Sequence, residues 1–98
     1  MSALSEKQKR HLRGLGHQRK PVVMIGAHGY TAAVHNELNE ALLRHELVKV
    51  RVIAGERGTR DAVIARLCTA TGAELVQRIG NIALVYRRHS DKPRLVLP

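Results

Sequence analysis

The chain has 98 residues, 44% of them apolar, with 17 Lys+Arg against 8 Asp+Glu and a formal net charge of +9. That length suits one domain burying roughly two-thirds of its unfolded surface, and the apolar content excludes wholesale disorder. The single Cys68 excludes an internal disulfide, and no window reaches the length of a membrane-spanning helix.

In chain order, the first element is an amphipathic helix. "SEKQKRHLRGLGH" opens on Ser5, a good N-cap, and places Leu4, Gln8, His11, Leu12 and Leu15 on one side of a helical wheel. Lys7, Lys9, Arg10 and Arg13 fill the other side, and Gly14 or Gly16 ends the helix. "KPVVMIG" reads as a short strand with Pro21 near its start, where a missing N–H does least harm. "TAAVHNELNEALLRHE" is a second helix with Val34, Leu38, Ala41, Leu42 and His45 on one face, so His45 is expected in the core.

"LVKVRVI" alternates, with Val48, Val50 and Val52 facing one way and Lys49 and Arg51 the other. Part of the sheet is therefore expected to stay open to solvent. "TRDAVIARLCTATG" is a third helix with Val63, Ile64, Leu67 and Cys68 inward and Gly72 closing it. "AELVQRI" and "IALVYRR" flank Gly80-Asn81, which suits a two-residue hairpin turn. The tail, residues 88–98, is partly apolar and has no assigned place. The order α-β-α-β-α-β-β predicts one domain spanning 1–98, of α/β class in a two-layer α+β arrangement. It has a mixed four-stranded sheet with helices packed on it.

Charge is unevenly spread along this frame. Lys7, Lys9, Arg10, Arg13, Arg19 and Lys20 stand against Glu6 alone at the N-terminal end, whereas residues 31–46 carry Glu37, Glu40 and Glu46 against Arg44. The separation predicts a basic face and a polyanionic partner, nucleic acid before an anionic membrane. Between the first strand and second helix stands "GAHG", residues 26–29. Its glycines tolerate positive φ and bear no Cβ, so another backbone can come close. The first-turn N–H groups of the following helix form an anion site, to which Lys20 adds charge. Alone, such a tip is more often a plain turn. "GERG" at 55–58 is read as one, Glu56 making it less welcoming to phosphate. No G-x-x-x-x-G-K-[ST] occurs, and "GLGHQR" has Arg19 where a dinucleotide fingerprint needs its third glycine.

A Gly-x-x-Gly that clamps nucleotides marks the KH module, but there it joins two helices. Here it joins a strand to a helix. In that feature, and in "LSEKQKRHLRGLGHQRKPVVMIGAHGYT", "HELVKVRV", "TGAELVQRIGNIALVYR" and "RLVLP", the chain resembles the CRM domain (chloroplast RNA splicing and ribosome maturation). The likeness is greatest to its bacterial single-domain YhbY-type members. The resemblance implies a fold similar to the C-terminal domain of a bacterial translation initiation factor. It also implies RNA binding, associated in bacteria with precursor large ribosomal subunits. The implied RNA-contacting loop is Gly26, Ala27, His28 and Gly29, backed by Lys7, Lys9, Arg10, Arg13 and Lys20, with Lys49 and Arg51 on the sheet. Tyr30 stands where an aliphatic residue is expected, either as core or as a stacking surface.

Other chemistry finds little footing. No His/Cys cluster has ligand spacing, and Cys68 has no partner arrangement for nucleophilic catalysis. His28 either contacts RNA or is a solvated loop tip; Tyr86 is expected in the core. The sequence therefore reads as a non-enzymatic RNA-binding protein without metal, cofactor, small-molecule substrate or membrane partner. "MSALSEKQKRHLRG" has no apolar signal segment, so the protein is expected to be cytoplasmic, and to act as a monomer on ribosomal RNA. The alternative is a protein-interaction module docking an acidic partner through the cationic helix.

Overall fold

The computed structural model describes residues 4–53, 55 and 57–98. Seven elements follow in the expected order: α1 (Glu6–Gly16), β1 (Val23–Ile25), α2 (Ala32–His45), β2 (Leu47–Val52), α3 (Arg57–Thr71), β3 (Glu74–Ile79) and β4 (Ile82–Tyr86). The sheet order is β1-β2-β4-β3. β1 runs parallel to β2, with Val23 opposite Val50, while β4 is antiparallel to both of its neighbours. Local chemistry fixes the helix starts. Ser5 closes a capping box with Gln8, each side chain bonding the other's backbone, and the Thr31 hydroxyl accepts the Val34 N–H at 3.2 Å.

Alternation in the strands builds two cores. On one face Val23, Ile25, Val48, Val50, Val52, Ala83 and Val85 meet Leu38 and Leu42 of α2 and Ile64 and Leu67 of α3. On the other, Leu47, Val76, Leu84 and Tyr86 meet Leu12 of α1, with Leu4, Leu15, Leu95 and Leu97 packed around them. Tyr86 is in the core as expected. A register shift in β3 between Leu75 and Gln77 frees Val76 to turn into this second cluster.

Three expectations are corrected. His11 is exposed, because the buried stripe of α1 centres on Leu12 and Gly16. A Cβ on Gly16 would meet the Leu84 side chain at 2.6 Å, so this glycine lets the helix lie against β4. The same rotation leaves Lys9 and Arg13 half-buried rather than on the solvent-facing back. His45 is exposed too: α2 ends there, and the chain reverses at Glu46 with φ 61°.

Glu46 takes the core position instead. Its side chain is fully buried and accepts three backbone N–H groups, from His89 at 2.7 Å, Arg94 at 2.6 Å and Leu95 at 2.8 Å. This is what places the tail, folding Leu95 and Leu97 onto the second core. Burial alone would raise the Glu46 pKa; the N–H donors of His89, Leu95 and Arg94, with the nearby His89 ring, outweigh it and hold the carboxyl below the ordinary glutamate range. A positive φ at a non-glycine residue costs on the order of 1 kcal/mol or more, and these bonds over-determine it.

Glu46→Gln keeps the shape but sets an NH₂ group against N–H donors. It should cost about 3 kcal/mol, or roughly 15 °C in Tm. Because the folded pKa is depressed, the advantage of Glu is complete above the unfolded value of about 4.3 and fades as pH falls through the folded value. Thermal melts of both proteins from pH 7 downwards should therefore keep their separation down to the unfolded value and draw together only as pH falls further, through the folded value.

Candidate nucleic-acid interface

The parallel pairing of β1 with β2, and the antiparallel pairing of β2 with β4, bring three chain reversals to one end of the sheet. These are Gly26–Gly29 after β1, the connection that leaves β2 at Ile53, and Gly80-Asn81 between β3 and β4. Two backbone bonds tie them together, Ile53 N–H to Ile25 C=O at 2.8 Å and Val52 N–H to Asn81 C=O at 2.7 Å.

Gly26–Gly29 is a tight turn in which the Gly29 N–H donates to the Gly26 carbonyl at 3.0 Å, and Gly29 has φ 73°. No atom lies within 4 Å of a Cβ built on either glycine. The protein thus needs Gly29 for its backbone angle, and needs neither glycine for its own packing. Gly26, Ala27 and His28 are exposed. With Thr31 capping Val34, the Ala32 and Ala33 N–H groups remain at the first turn of α2 without intrahelical acceptors.

Tyr30 packs against the first core, so it is a core residue with a polar rim. Its hydroxyl bonds His35 Nδ1 at 2.5 Å, the His35 ring stands edge-on to it, and the Arg66 guanidinium lies 5.8 Å from its ring centroid. Burial raises the Tyr30 pKa, with Arg66 opposing. Tyr30, Thr31, Ala32, His35, Asn36 and Arg66 line a shallow cleft at the α2 N-terminus. Sequence reasoning missed Arg66, a cation delivered to this tip from α3, forty residues on in the chain; only the packing of α2 against α3 reveals it.

The two glycine-bracketed tips differ in backbone. At the second, Gly55 carries the positive φ and Gly58 already lies within α3. Glu56 lies outside the described residues.

The basic residues fall into distinct groups. Lys7 and Arg10 are exposed on α1, whose N-terminal half lies by β3, where the Leu4 N–H donates to Glu74 at 3.3 Å. Lys9 is turned to the groove between β3 and α3, among Asp61, Glu74 and Arg78. Lys20 is exposed in the linker before β1. Lys49 is half-buried and its ammonium donates to the Arg19 carbonyl at 3.0 Å, while Arg19 donates to the Leu47 carbonyl at 3.0 Å. That reciprocal clasp fixes the linker to β2. Arg51 is exposed beside the tips. The α1 cations and the Gly26–Gly29 tip therefore lie towards opposite edges of the sheet, whose outer strands are about 14 Å apart as three strand spacings go. Open sheet lies between them. Cys68 is half-buried, and its thiol is pushed up by burial first and Glu74 second, the opposite of an activated thiolate.

Comparison with known proteins gives consistent matches. The CRS1 / YhbY (CRM) domain matches residues 4–87. A Haemophilus influenzae protein named "RNA-binding protein" is 43% identical over 98 residues, covering 100% of this chain and 98% of the relative. A Pseudomonas aeruginosa relative, named "Probable RNA-binding protein", is 42% identical over 87 residues, 89% of this chain and 84% of its own. The solution structure of a hypothetical Staphylococcus aureus protein, described as a candidate RNA-binding protein, superposes with a TM-score of 0.83 at 34% identity. That match covers 97% of this chain and 99% of the other.

The two glycines of the tip should respond differently to alanine. Gly29→Ala forces a Cβ into positive φ and should cost about 1 kcal/mol, whereas Gly26→Ala should be neutral within about 0.5 kcal/mol. Chemical denaturation of both variants checks this; equal losses would place the strain elsewhere.

Proposed function

The chain belongs to the CRS1 / YhbY (CRM) domain family, and on that footing we propose that it is an RNA-binding protein that works by binding alone. The observation that carries this reading is the Gly26–Gly29 tip. It is an exposed turn bracketed by two glycines that add no side-chain bulk, beside first-turn amides and the Arg66 cation. Such a site suits the phosphate backbone of RNA, where N–H donors and local positive charge act together. His28 sits at the tip as a polar group in reach of a phosphate or a base.

Charge then sets the footprint. Lys7, Arg10 and Arg13 on α1, Lys20 in the linker, and Arg51 on the sheet supply the long-range attraction. Lys49, clasped to the Arg19 carbonyl, contributes mainly its field. Lys9 is the weakest candidate of the basic set, because Asp61 and Glu74 stand beside it. The outer side of α2, with Glu37 and Glu40 exposed, is excluded by its charge.

The partner we infer is structured ribosomal RNA of the precursor large subunit, met by a monomer in the cytoplasm. The names of the relatives support RNA as the partner, and the family resemblance is what points to the ribosomal precursor. Phosphate contacts of this kind give register on a folded RNA rather than sequence readout.

Titration of binding with salt tests the proposal. If about five phosphates are neutralised, log K should fall with log salt at a slope near −3.5, a loss of roughly a hundredfold over a fourfold rise. Changing Lys7, Arg10 and Arg13 together to Gln should remove about 2 from that slope, while Lys9→Gln should barely alter it. Gly26→Asp, which the fold tolerates, should weaken RNA binding at every salt concentration. Tight binding to acidic peptides with no binding to RNA would instead identify a protein-docking module.

A further inference from the structure

We infer that the open part of the second sheet face is a receptor for an unpaired RNA base; the inference rests on the RNA-binding reading above. α1 covers this face only towards the Glu74, Tyr86 and Leu47 end, where its Leu12 is buried. Towards the tips, the register sets Met24, Arg51, Ile82 and Ile79 side by side in one row across all four strands. Met24 is 55% exposed and Ile79 61%, on a face that buries Leu47, Val76 and Leu84. The row carries no carboxylate.

Behind the row, where α1 ends, is a cleft of about 170 Å³ lined by His17, Lys49, Gln77, Ile79, Ile82 and Leu84. Sites for drug-sized ligands run to about 300–1,000 Å³, so this one suits a single flat ring rather than a larger molecule. Its chemistry is that of a base pocket. Ile79, Ile82 and Leu84 form an apolar floor, Gln77 offers a paired donor and acceptor to a base edge, and His17 and Lys49 stand at the rim. Arg51, opposite Ile82 in the register, is the neighbouring cation, and its guanidinium is the kind of plane on which bases stack. It also leads from the cleft towards the Gly26–Gly29 tip.

Charge complementarity selects the occupant. His17, Lys49 and Arg51 favour a polyanion over an apolar protein surface, and the aliphatic floor favours an exposed base over a fully paired backbone. The preferred ligand is therefore RNA with an unpaired nucleotide beside a helix. The paired part would lie on the tip and the cationic linker, and the extruded base in the cleft.

The test compares two RNA hairpins of equal length, one fully paired in its stem and one with a three-nucleotide bulge carrying 2-aminopurine. Wild type should bind the bulged hairpin about tenfold more tightly and change the 2-aminopurine fluorescence. The Gln77→Ala/Ile79→Ser variant should bind both with the affinity of the paired hairpin, at an unaltered salt slope. Gln77→Ala alone, which removes the edge contacts and leaves the apolar floor, should lose part of the preference and melt like wild type. Equal wild-type affinity for the two hairpins would overturn the inference while leaving RNA binding by the tip and the cations intact. A preference that survives in both variants would overturn it too. Binding of neither hairpin would overturn the RNA-binding reading along with it. If wild type sediments as a dimer and the double variant as a monomer, the face belongs to a second copy of this chain and the base receptor is ruled out.

Discussion

The register of β2 is the constraint on which the rest of the molecule depends. This central strand pairs parallel with β1 and antiparallel with β4. A parallel pair cannot be closed by a hairpin, so the chain must cross over through α2, and the crossover begins at Gly26–Gly29. The same pairing sends the end of β2 and the β3–β4 turn to that end of the sheet. A one-residue slip would turn Val48, Val50 and Val52 outward and bring Lys49 and Arg51 into the first core. The buried valines therefore hold Arg51 on the open face, in line with Met24, Ile82 and Ile79.

The opposite end of the sheet is held by polar bonds. Glu46 ends α2 in a conformation that glycine usually adopts, buries its carboxylate and gathers three N–H groups of the tail. Arg87 adds a second tie, donating to the Asn39 side chain at 2.8 Å and the Thr71 carbonyl at 2.9 Å. These groups join α2, α3 and the tail around the strand ends. The division of labour is clear in physical terms. The charges of Glu46 and Arg87 are consumed by the fold, whereas Lys7, Arg10, Lys20, Arg51 and Arg66 remain exposed.

Much of this frame was legible in the sequence because periodicity and turn chemistry are local. The alternation of Val48, Val50 and Val52, the glycine at Gly72 and the Gly80-Asn81 turn each specify their element without reference to the rest. What escaped was non-local. Helical spacing placed His11 and His45 inward, but Gly16 against Leu84 rotates α1, and the reversal at Glu46 takes the chain off the face that His45 shares. Nothing near Glu46 announces that its acceptors' partners lie more than forty residues away. Arg66 reaches the tip only through α2–α3 packing, and Tyr30 becomes a core residue for the same reason. The open row on the second face was visible only in Arg51; that Met24, Ile79 and Ile82 accompany it required the strand order.

The central claim is that the end of the sheet holding Gly26–Gly29, with the open row beside it, receives RNA. Amide chemical-shift mapping by NMR tests it most directly. On titration with a structured RNA, the amides from Met24 to Thr31, with Arg51 and Ile82, should move saturably, while Leu42, Glu46, Arg87 and Leu95 stay in place. Shifts concentrated on the outer side of α2 around Glu37 and Glu40, or on the tail, with Gly26 to Thr31 unmoved, would contradict it.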